Sequence, residues 1–446
     1  MRYRAKSCKF QFFVPFVNLL IIPKSNNFQF RHYMASNSTR LKVWEENCPV
    51  LKDTRFQRKY QVLEDIIGEG SFGTVIRAKC RATQTNRAIK AIRRIEKVNM
   101  LSIELELLSE LGGHFNIVKL YEFFHFNGSV ALVLEYFPHC SANELLYRTK
   151  QDLSFGLKYI ENLLSAVAYL HHNGYVHRDV KLSNFLYSPQ TNKFRLVDFG
   201  LATNDRSKNE NSRKNNVAAL NKDPPCTTCN GSSTPCMFCK NRPKREIYHI
   251  VGTPGVRAPE LLFGVGLCNT AVDVFSCGIV LLSLICVKHP FFTPKDETEN
   301  IYDLAFLLGS KTIEDMAKNE GLRVTLSEKL PPVDYYKLVM SLRYGFNYVS
   351  KNILPAAPCK MCYNRSYNNS KGVCFCRTDY ETNMYATGEH KIGKKDDELM
   401  TVYVDLLYRS LEADRFKRYN ADQLLCIIDT YRTRAAYVAK PIENDD

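Results

Sequence analysis

The chain has 446 residues, 45% of them hydrophobic, enough for one large two-lobed domain or for two or three smaller ones. Sixty-one Lys and Arg face 46 Asp and Glu, and the formal net charge of +15 suits acidic partners: nucleotide phosphate, acidic peptide or nucleic acid. No apolar run reaches about 18 residues, so no transmembrane helix is expected. Of the 16 cysteines, eight fall in two tight clusters, Cys226 to Cys239 and Cys359 to Cys376, and the other eight are scattered as buried thiols of a reducing compartment would be. Disulfide-framed secreted domains are small, and this chain is not.

Residues 1–54 read as an extension. Phe10 to Ile22 is apolar and follows Arg2, Arg4, Lys6 and Lys9, as in a signal peptide, but lacks a small-residue cleavage site. Met34-Ala35-Ser36 offers an alternative start, which leaves residues 1–33 outside the mature protein. Residues 35–59 are polar, and a flexible lead-in is expected, with Trp44 and Cys48-Pro49 able to pack on the neighbouring lobe.

A strand is predicted from Tyr60 to Ile67, followed by Gly68-Glu69-Gly70-Ser71-Phe72-Gly73-Thr74-Val75 and a second strand to about Cys80. Gly68, Gly70 and Gly73 let backbone N–H groups approach phosphates without side-chain collision. Dinucleotide folds use the same spacing, but there the third glycine opens a helix. Here it enters the β-branched run Thr74-Val75-Ile76, which favours a hairpin. Ala88-Ile89-Lys90 ends a third predicted strand, and Lys90 is either a phosphate ligand or a solvated strand-end lysine. Ile95, Val98, Leu101, Leu105 and Leu108 form a helical stripe over 95–111. Glu104 and Glu106 on that helix lie about 200° apart, so only one can face Lys90. Strands are predicted over Ile117–Tyr121 and Val130–Leu134, with a turn at Asn127-Gly128.

Phe155, Tyr159, Leu163, Ala166 and Leu170 mark a helix over Leu153–His171 that delivers the chain to His177-Arg178-Asp179-Val180-Lys181-Leu182-Ser183-Asn184. A carboxylate, an ammonium and a carboxamide in this spacing suit phosphoryl transfer. Asp179 can accept an acceptor hydroxyl's proton, Lys181 can neutralise the moving charge, and Asn184 can offer a hard oxygen to Mg²⁺. Asp198-Phe199-Gly200 supplies a second oxygen ligand.

Between Asp198 and Ala258-Pro259-Glu260 the polar stretch 203–250 reads as an insert. It carries Cys226, Cys229, Cys236 and Cys239, two C-x-x-C pairs able to place four thiolates round Zn²⁺, with His249 as an alternative ligand. Its nine Lys/Arg against four Asp/Glu could touch DNA phosphates, but a partner-binding loop is the preferred reading. A second insert, 344–395, holds Cys359-x-x-Cys362 and Cys374-x-Cys376, with a second zinc as the weaker reading. Leu399, Val402, Leu406 and Leu411 then resume a helical stripe.

The catalytic octapeptide, the glycine turn, Lys90, Asp198-Phe199-Gly200 and Ala258-Pro259-Glu260 occur in the order of eukaryotic protein kinases, which the chain resembles. Three phrases narrow the resemblance: His-Arg-Asp-Val-Lys-Leu-Ser-Asn-Phe-Leu-Tyr at 177–187, Val-Asp-Phe-Gly-Leu-Ala at 197–202 and Gly-Thr-Pro-Gly-Val-Arg-Ala-Pro-Glu at 252–260. With the two cysteine-bearing inserts, they look like the cell division cycle 7 kinases, catalytic subunits of DDK, over roughly residues 55–435. Departures are Arg87 for Val, Leu182 for Pro, Phe275 for Trp, and a short second insert.

The resemblance implies an α+β bilobal fold: a small antiparallel β lobe with one helix over 55–137, a larger mainly α lobe over 138–436 and a tail over 437–446. It implies ATP and Mg²⁺ as cofactors. Lys90 would be paired with Glu104, while Val75, Ala88, Leu134 and Leu186 would surround adenine and Glu135-Tyr136-Phe137 would form the hinge. Thr253 would bridge Asp179 and Lys181, Arg178 would hold a charge on the activation loop, Asp273 would brace the catalytic loop, and Arg418 would pair with Glu260. Arg257 would favour acid near the target Ser or Thr. The implied partners are a Dbf-type (activator of S-phase kinase) regulatory subunit and, as substrates, subunits of the minichromosome maintenance helicase, in the nucleus. Rival readings are an acidophilic or cyclin-dependent-like kinase outside this family and a catalytically silent scaffold.

Overall fold

The computed structural model describes residues 48–70, 73–92, 98–205, 251–264, 269–320, 322, 324–346, 375–377 and 394–438. A 3₁₀ turn at Pro49–Lys52 and helix α1 (Thr54–Lys59) precede five strands, β1 (Tyr60–Gly70), β2 (Gly73–Cys80), β3 (Asn86–Ile92), β4 (Leu120–Phe126) and β5 (Ser129–Glu135), with helix α2 (Val98–Leu111) between β3 and β4. The strands form one antiparallel sheet in the order β1-β2-β3-β5-β4. Asn127 and Gly128, both at positive φ, make the tight β4–β5 turn that an Asn-Gly pair favours.

The small lobe's core reaches back into the stretch expected to be a lead-in. Cys48, Val50 and Phe56 are fully buried against the sheet. Asp53 caps α1 by accepting the Arg55 N–H, and Val50 N–H donates to the Ser129 hydroxyl. Apolar residues in a polar segment had a sheet face to cover. Strand β3 runs on past Lys90 to Ile92, so the lysine sits inside the strand. Strand β4 begins at Leu120 rather than Ile117, and Ile117 instead forms a parallel bridge to Leu196 in the other lobe.

The large lobe comprises α3 (Ala142–Gln151), α4 (Leu153–His172), β6 (Tyr175–Val176), β7 (Phe185–Ser188), β8 (Lys193–Leu196), β9 (Thr203–Asn204), α5 (Pro259–Leu262), α6 (Ala271–Ile285), α7 (Glu297–Leu308), α8 (Ser310–Asn319), α9 (Tyr335–Tyr344), α10 (Lys394–Ser410) and α11 (Ala421–Val438). Two small hairpin-like pairs, β6–β9 and β7–β8, hold the catalytic loop. Helix α6 is apolar on every side and accordingly buried along nearly its whole length. Its one charged group, Asp273, sits in the first turn, where the helix dipole favours a carboxylate.

Within the second insert, Phe375-Cys376-Arg377 is tied to the lobe. Phe375 and Cys376 are fully buried, Cys376 bridges Val333, and the Arg377 guanidinium lies 4.2 Å from the Tyr408 ring centre. Cys359, Cys362 and Cys374 fall outside the described residues, as do Cys226, Cys229, Cys236, Cys239 and His249. Among the described residues no helix is long and apolar enough to cross a membrane.

Candidate active site

The sheet sets the nucleotide side. Strand pairing puts Val75 opposite Lys90 and Ala88 opposite Leu134. Gly68 pairs with Val75, and Gly70 pairs with Gly73 across the turn. Gly73 has φ +152, and a Cβ there would lie 2.5 Å from the Ala91 carbonyl oxygen, so only glycine lets the turn fold down on β3. Ser71 and Phe72, at the tip, lie outside the described residues. Leu186, on β7, is half-buried across the cleft.

Lys90 Nζ donates to Glu104 at 2.6 Å and to Asp198 at 2.8 Å. Glu106, the other candidate on α2, is exposed. Burial disfavours the Lys90 ammonium, but the Glu104 and Asp198 carboxylates outweigh it and leave its pKa raised. Burial likewise works against ionised Asp198, yet the Lys90 ammonium holds that carboxyl below its ordinary value. Asp198 has φ +62 and a side chain 40% exposed to the cleft, with Oδ1 on Lys90. Phe199 is fully buried with its ring 4.9 Å from His177.

The acceptor side is a cage round Asp179. Its Oδ1 accepts the Thr253 N–H at 2.9 Å and the Thr253 hydroxyl at 2.6 Å. Its Oδ2 meets Lys181 Nζ at 2.7 Å and Asn184 Nδ2 at 3.1 Å. Lys181 also donates to the Thr253 hydroxyl at 2.7 Å. These bonds use the carboxylate's lone-pair directions. Any further hydroxyl donor to this carboxylate has to replace one of them, and the Thr253 hydroxyl is a Ser/Thr-type group already in place. Gly252 has φ +89, and a Cβ there would lie 2.6 Å from the Arg178 carbonyl oxygen, so this turn packs directly on the catalytic loop. A cavity of about 230 Å³ adjoins the cage, lined by Lys181, Thr253, Pro254, Val256 and Phe292 among others.

The cage is held from below. Asp273 accepts the N–H groups of His177 and Arg178, each at 2.7 Å, and His171 Nε2 at 2.9 Å. His177 Nε2 lies 3.2 Å from the Val197 carbonyl, while its Nδ1 accepts the Asp179 N–H. That fixes the imidazole as a strut under the loop. Arg178, at φ +67, donates to the Leu201 carbonyl. Arg418 forks onto both oxygens of Glu260 at 2.7 and 3.0 Å, and both side chains are buried. Arg257 donates twice to the Gly252 carbonyl and lies 3.5 Å from the half-exposed Glu297.

Magnesium keeps several waters and takes one or two side-chain oxygens beside substrate phosphates. Asn184 spends its Nδ2 on the Asp179 carbonyl and carboxylate, which turns its amide oxygen the other way. Asp198 gives Oδ1 to Lys90 and is also bonded by the Gly200 backbone, and with its side chain 40% exposed it retains lone pairs for a cation. The pair therefore fits a hard cation in number and type. Among the described residues no group of three or more His, Cys, Asp or Glu is placed to hold a metal.

The protein kinase domain family pattern matches residues 60–229 and 236–427. A cell division control protein 7 homolog of Encephalitozoon cuniculi (strain GB-M1) is 31% identical over 275 residues, 59% of this chain and 74% of that one. The chain belongs to the protein kinase family, in its cell division cycle 7 branch. The kinase is similar to the cell cycle serine/threonine-protein kinase hsk1 of Schizosaccharomyces pombe, 29% identical over 322 residues covering 68% of this chain and 61% of that one. It is also similar to the cell division cycle 7-related protein kinase of Mus musculus, 24% identical over 409 residues covering 63% and 72%. The kinase is accordingly a serine/threonine protein kinase of the cell cycle that uses ATP and Mg²⁺.

Local patterns missed two contacts of this kinase. Asn300 on α7 accepts the Gly255 N–H at 3.2 Å behind the Thr253 turn. Glu135, expected as part of the hinge, also binds Arg195 through its carboxylate. No motif flags either residue.

Proposed function

We propose that this kinase transfers the ATP γ-phosphate to Ser or Thr in acidic context on the minichromosome maintenance helicase, in the nucleus, once a Dbf-type regulatory subunit is bound. Asp179 aligns the acceptor hydroxyl and takes its proton; Lys181 stays on the transferring charge; Lys90, fixed by Glu104, orients the phosphates. Asn184 and Asp198 would hold Mg²⁺, which when bound neutralises charge on the phosphates. Backbone groups of Glu135, Tyr136 and Phe137 would read adenine between Ala88, Val75, Leu134 and Leu186.

The observation that carries the reading is the Asp179–Lys181–Thr253 cage, with its 2.6–2.9 Å bonds and a threonine hydroxyl standing where a substrate hydroxyl would bind. Preference for acid is supported by Arg257, whose contact to Glu297 is long and half-exposed, so a substrate carboxylate can displace it. Zinc at Cys226, Cys229, Cys236 and Cys239 rests on their spacing alone.

Affinity capture of the full chain followed by mass spectrometry, and Mg²⁺-ATP assays with and without the captured subunit, test the proposal. A Dbf-type protein that switches on transfer to helicase subunits supports it. Capture of a cyclin, or full activity without any subunit, contradicts it.

A further inference from the structure

The carboxylate of Glu135 grips the Arg195 guanidinium through two bonds, 2.7 Å to Nε and 3.0 Å to Nη2. Glu135 closes β5 and opens the hinge; Arg195 lies on β8 of the other lobe. The two side chains are 22% and 17% exposed. Isolated surface ion pairs contribute little, but a forked Arg–carboxylate pair shielded from water is the geometry in which one does. The Arg195 guanidinium also lies 5.3 Å from the Phe137 ring centre, two residues along the hinge.

Arg195 is placed where small shifts reach the nucleotide. It stands opposite Leu186 in the β7–β8 register, and Asp198 comes three residues later. Backbone bonds run beside the ion pair. Val118 N–H donates to the Leu196 carbonyl at 3.0 Å, Leu196 N–H to Asn116 at 2.6 Å, and Glu135 N–H to Lys119 at 2.9 Å. The first two join the lobes, the third ties the hinge end of β5 to the small lobe, and the ion pair adds a side-chain link between the lobes. Strand alternation turns the Glu135 side chain away from the face that Leu134 presents, so its effect travels through position.

We propose that Glu135 and Arg195 are a positioning pair that sets nucleotide affinity and release, by fixing the hinge against the floor of the adenine cleft. The proposal rests on reading that cleft as the ATP site. Losing the pair lets the hinge and the β7–β8 floor move apart at the adenine end, while the Asp179 cage, built inside the large lobe, keeps its geometry.

The test uses the full chain with its activating subunit. Glu135→Gln, Arg195→Met and the double variant are compared for ATP KM, peptide KM and dissociation of a fluorescent ADP analogue. Each single variant is expected to raise ATP KM and speed ADP release roughly three- to tenfold, the range of one half-buried charged contact. Peptide KM stays unchanged, and the double variant is no worse than the weaker single one, because one interaction is lost once. Unchanged nucleotide parameters would overturn the proposal. So would ATP and peptide KM rising together with a loss of folded protein, or single effects that multiply in the double variant. A wild-type chain that binds no ADP analogue and transfers no phosphate would instead sink the reading of the cleft, and the pair's role with it.

Discussion

Asp198 and Asp273 are two carboxylates held below their ordinary pKa against the cost of burial, and they serve different ends. Asp273 is fully buried, and His177, Arg178 and His171 all donate to it. Nothing is left to meet a ligand. Asp198 is bound by Lys90 on one oxygen and opens 40% of its side chain to the cleft. The same contrast separates Glu260–Arg418, closed on both sides, from Lys90–Glu104–Asp198, which faces the nucleotide side. A buried charge whose partners are all internal is architecture. One with bonding capacity left over is chemistry.

Breaking a closed centre should cost stability first. Arg418→Ala leaves Glu260 buried and unpaired, with an expected loss of about 3–5 kcal/mol. Thermal denaturation reads it as a large drop in Tm, with the ATP KM of the remaining folded protein unmoved. Breaking the open centre should cost transfer first. Lys90→Met is expected to lower kcat/KM for ATP on the order of 10²-fold, through lost charge on the phosphates. Steady-state kinetics beside a melting curve would blur the contrast if Tm collapsed and transfer per folded molecule did not.

A pH-dependent effect extends the contrast to a carboxyl outside both centres. Burial, with Glu299 beside it, lifts Asp303 from 3.8 to about 7, and Lys288 offsets this only in part. A carboxyl raised by folding binds its proton more tightly in the native state, so stability falls as pH climbs from about 4 through about 7. Asp303→Asn should therefore raise Tm at about pH 8 and leave it unchanged below about pH 4. Melting curves across that range check the sign.

How much of the molecule was legible in the sequence depends on the range of each interaction. The catalytic octapeptide, the glycine turn and Asp198-Phe199-Gly200 are local, and each carries its chemistry in its own spacing. Helix geometry allowed only one of Glu104 and Glu106 to face Lys90, and the family resemblance, not the geometry, singled out Glu104. The Glu260–Arg418 pair spans 158 residues, yet a known family pattern supplies it. Glu135–Arg195 spans 60 residues and has no such pattern, so nothing in the chain advertises it. The packing of Cys48 was anticipated, but that of Val50 and Phe56 was hidden for a related reason. Their segment is polar on average, and burial is decided by a few side chains and a waiting sheet face. Phe375 and Cys376 repeat the case inside the second insert.

The proposed chemistry centres on the cage round Asp179, and one substitution addresses it directly. Asp179→Asn keeps the size of the side chain and its place among Thr253, Lys181 and Asn184, but removes the proton acceptor. Phosphate transfer from Mg²⁺-ATP to a Ser/Thr peptide should fall about 10²–10⁴-fold, with binding of a fluorescent nucleotide analogue intact. Transfer that survives the substitution at its original rate would contradict the assignment of this carboxylate as the group that aligns and deprotonates the acceptor.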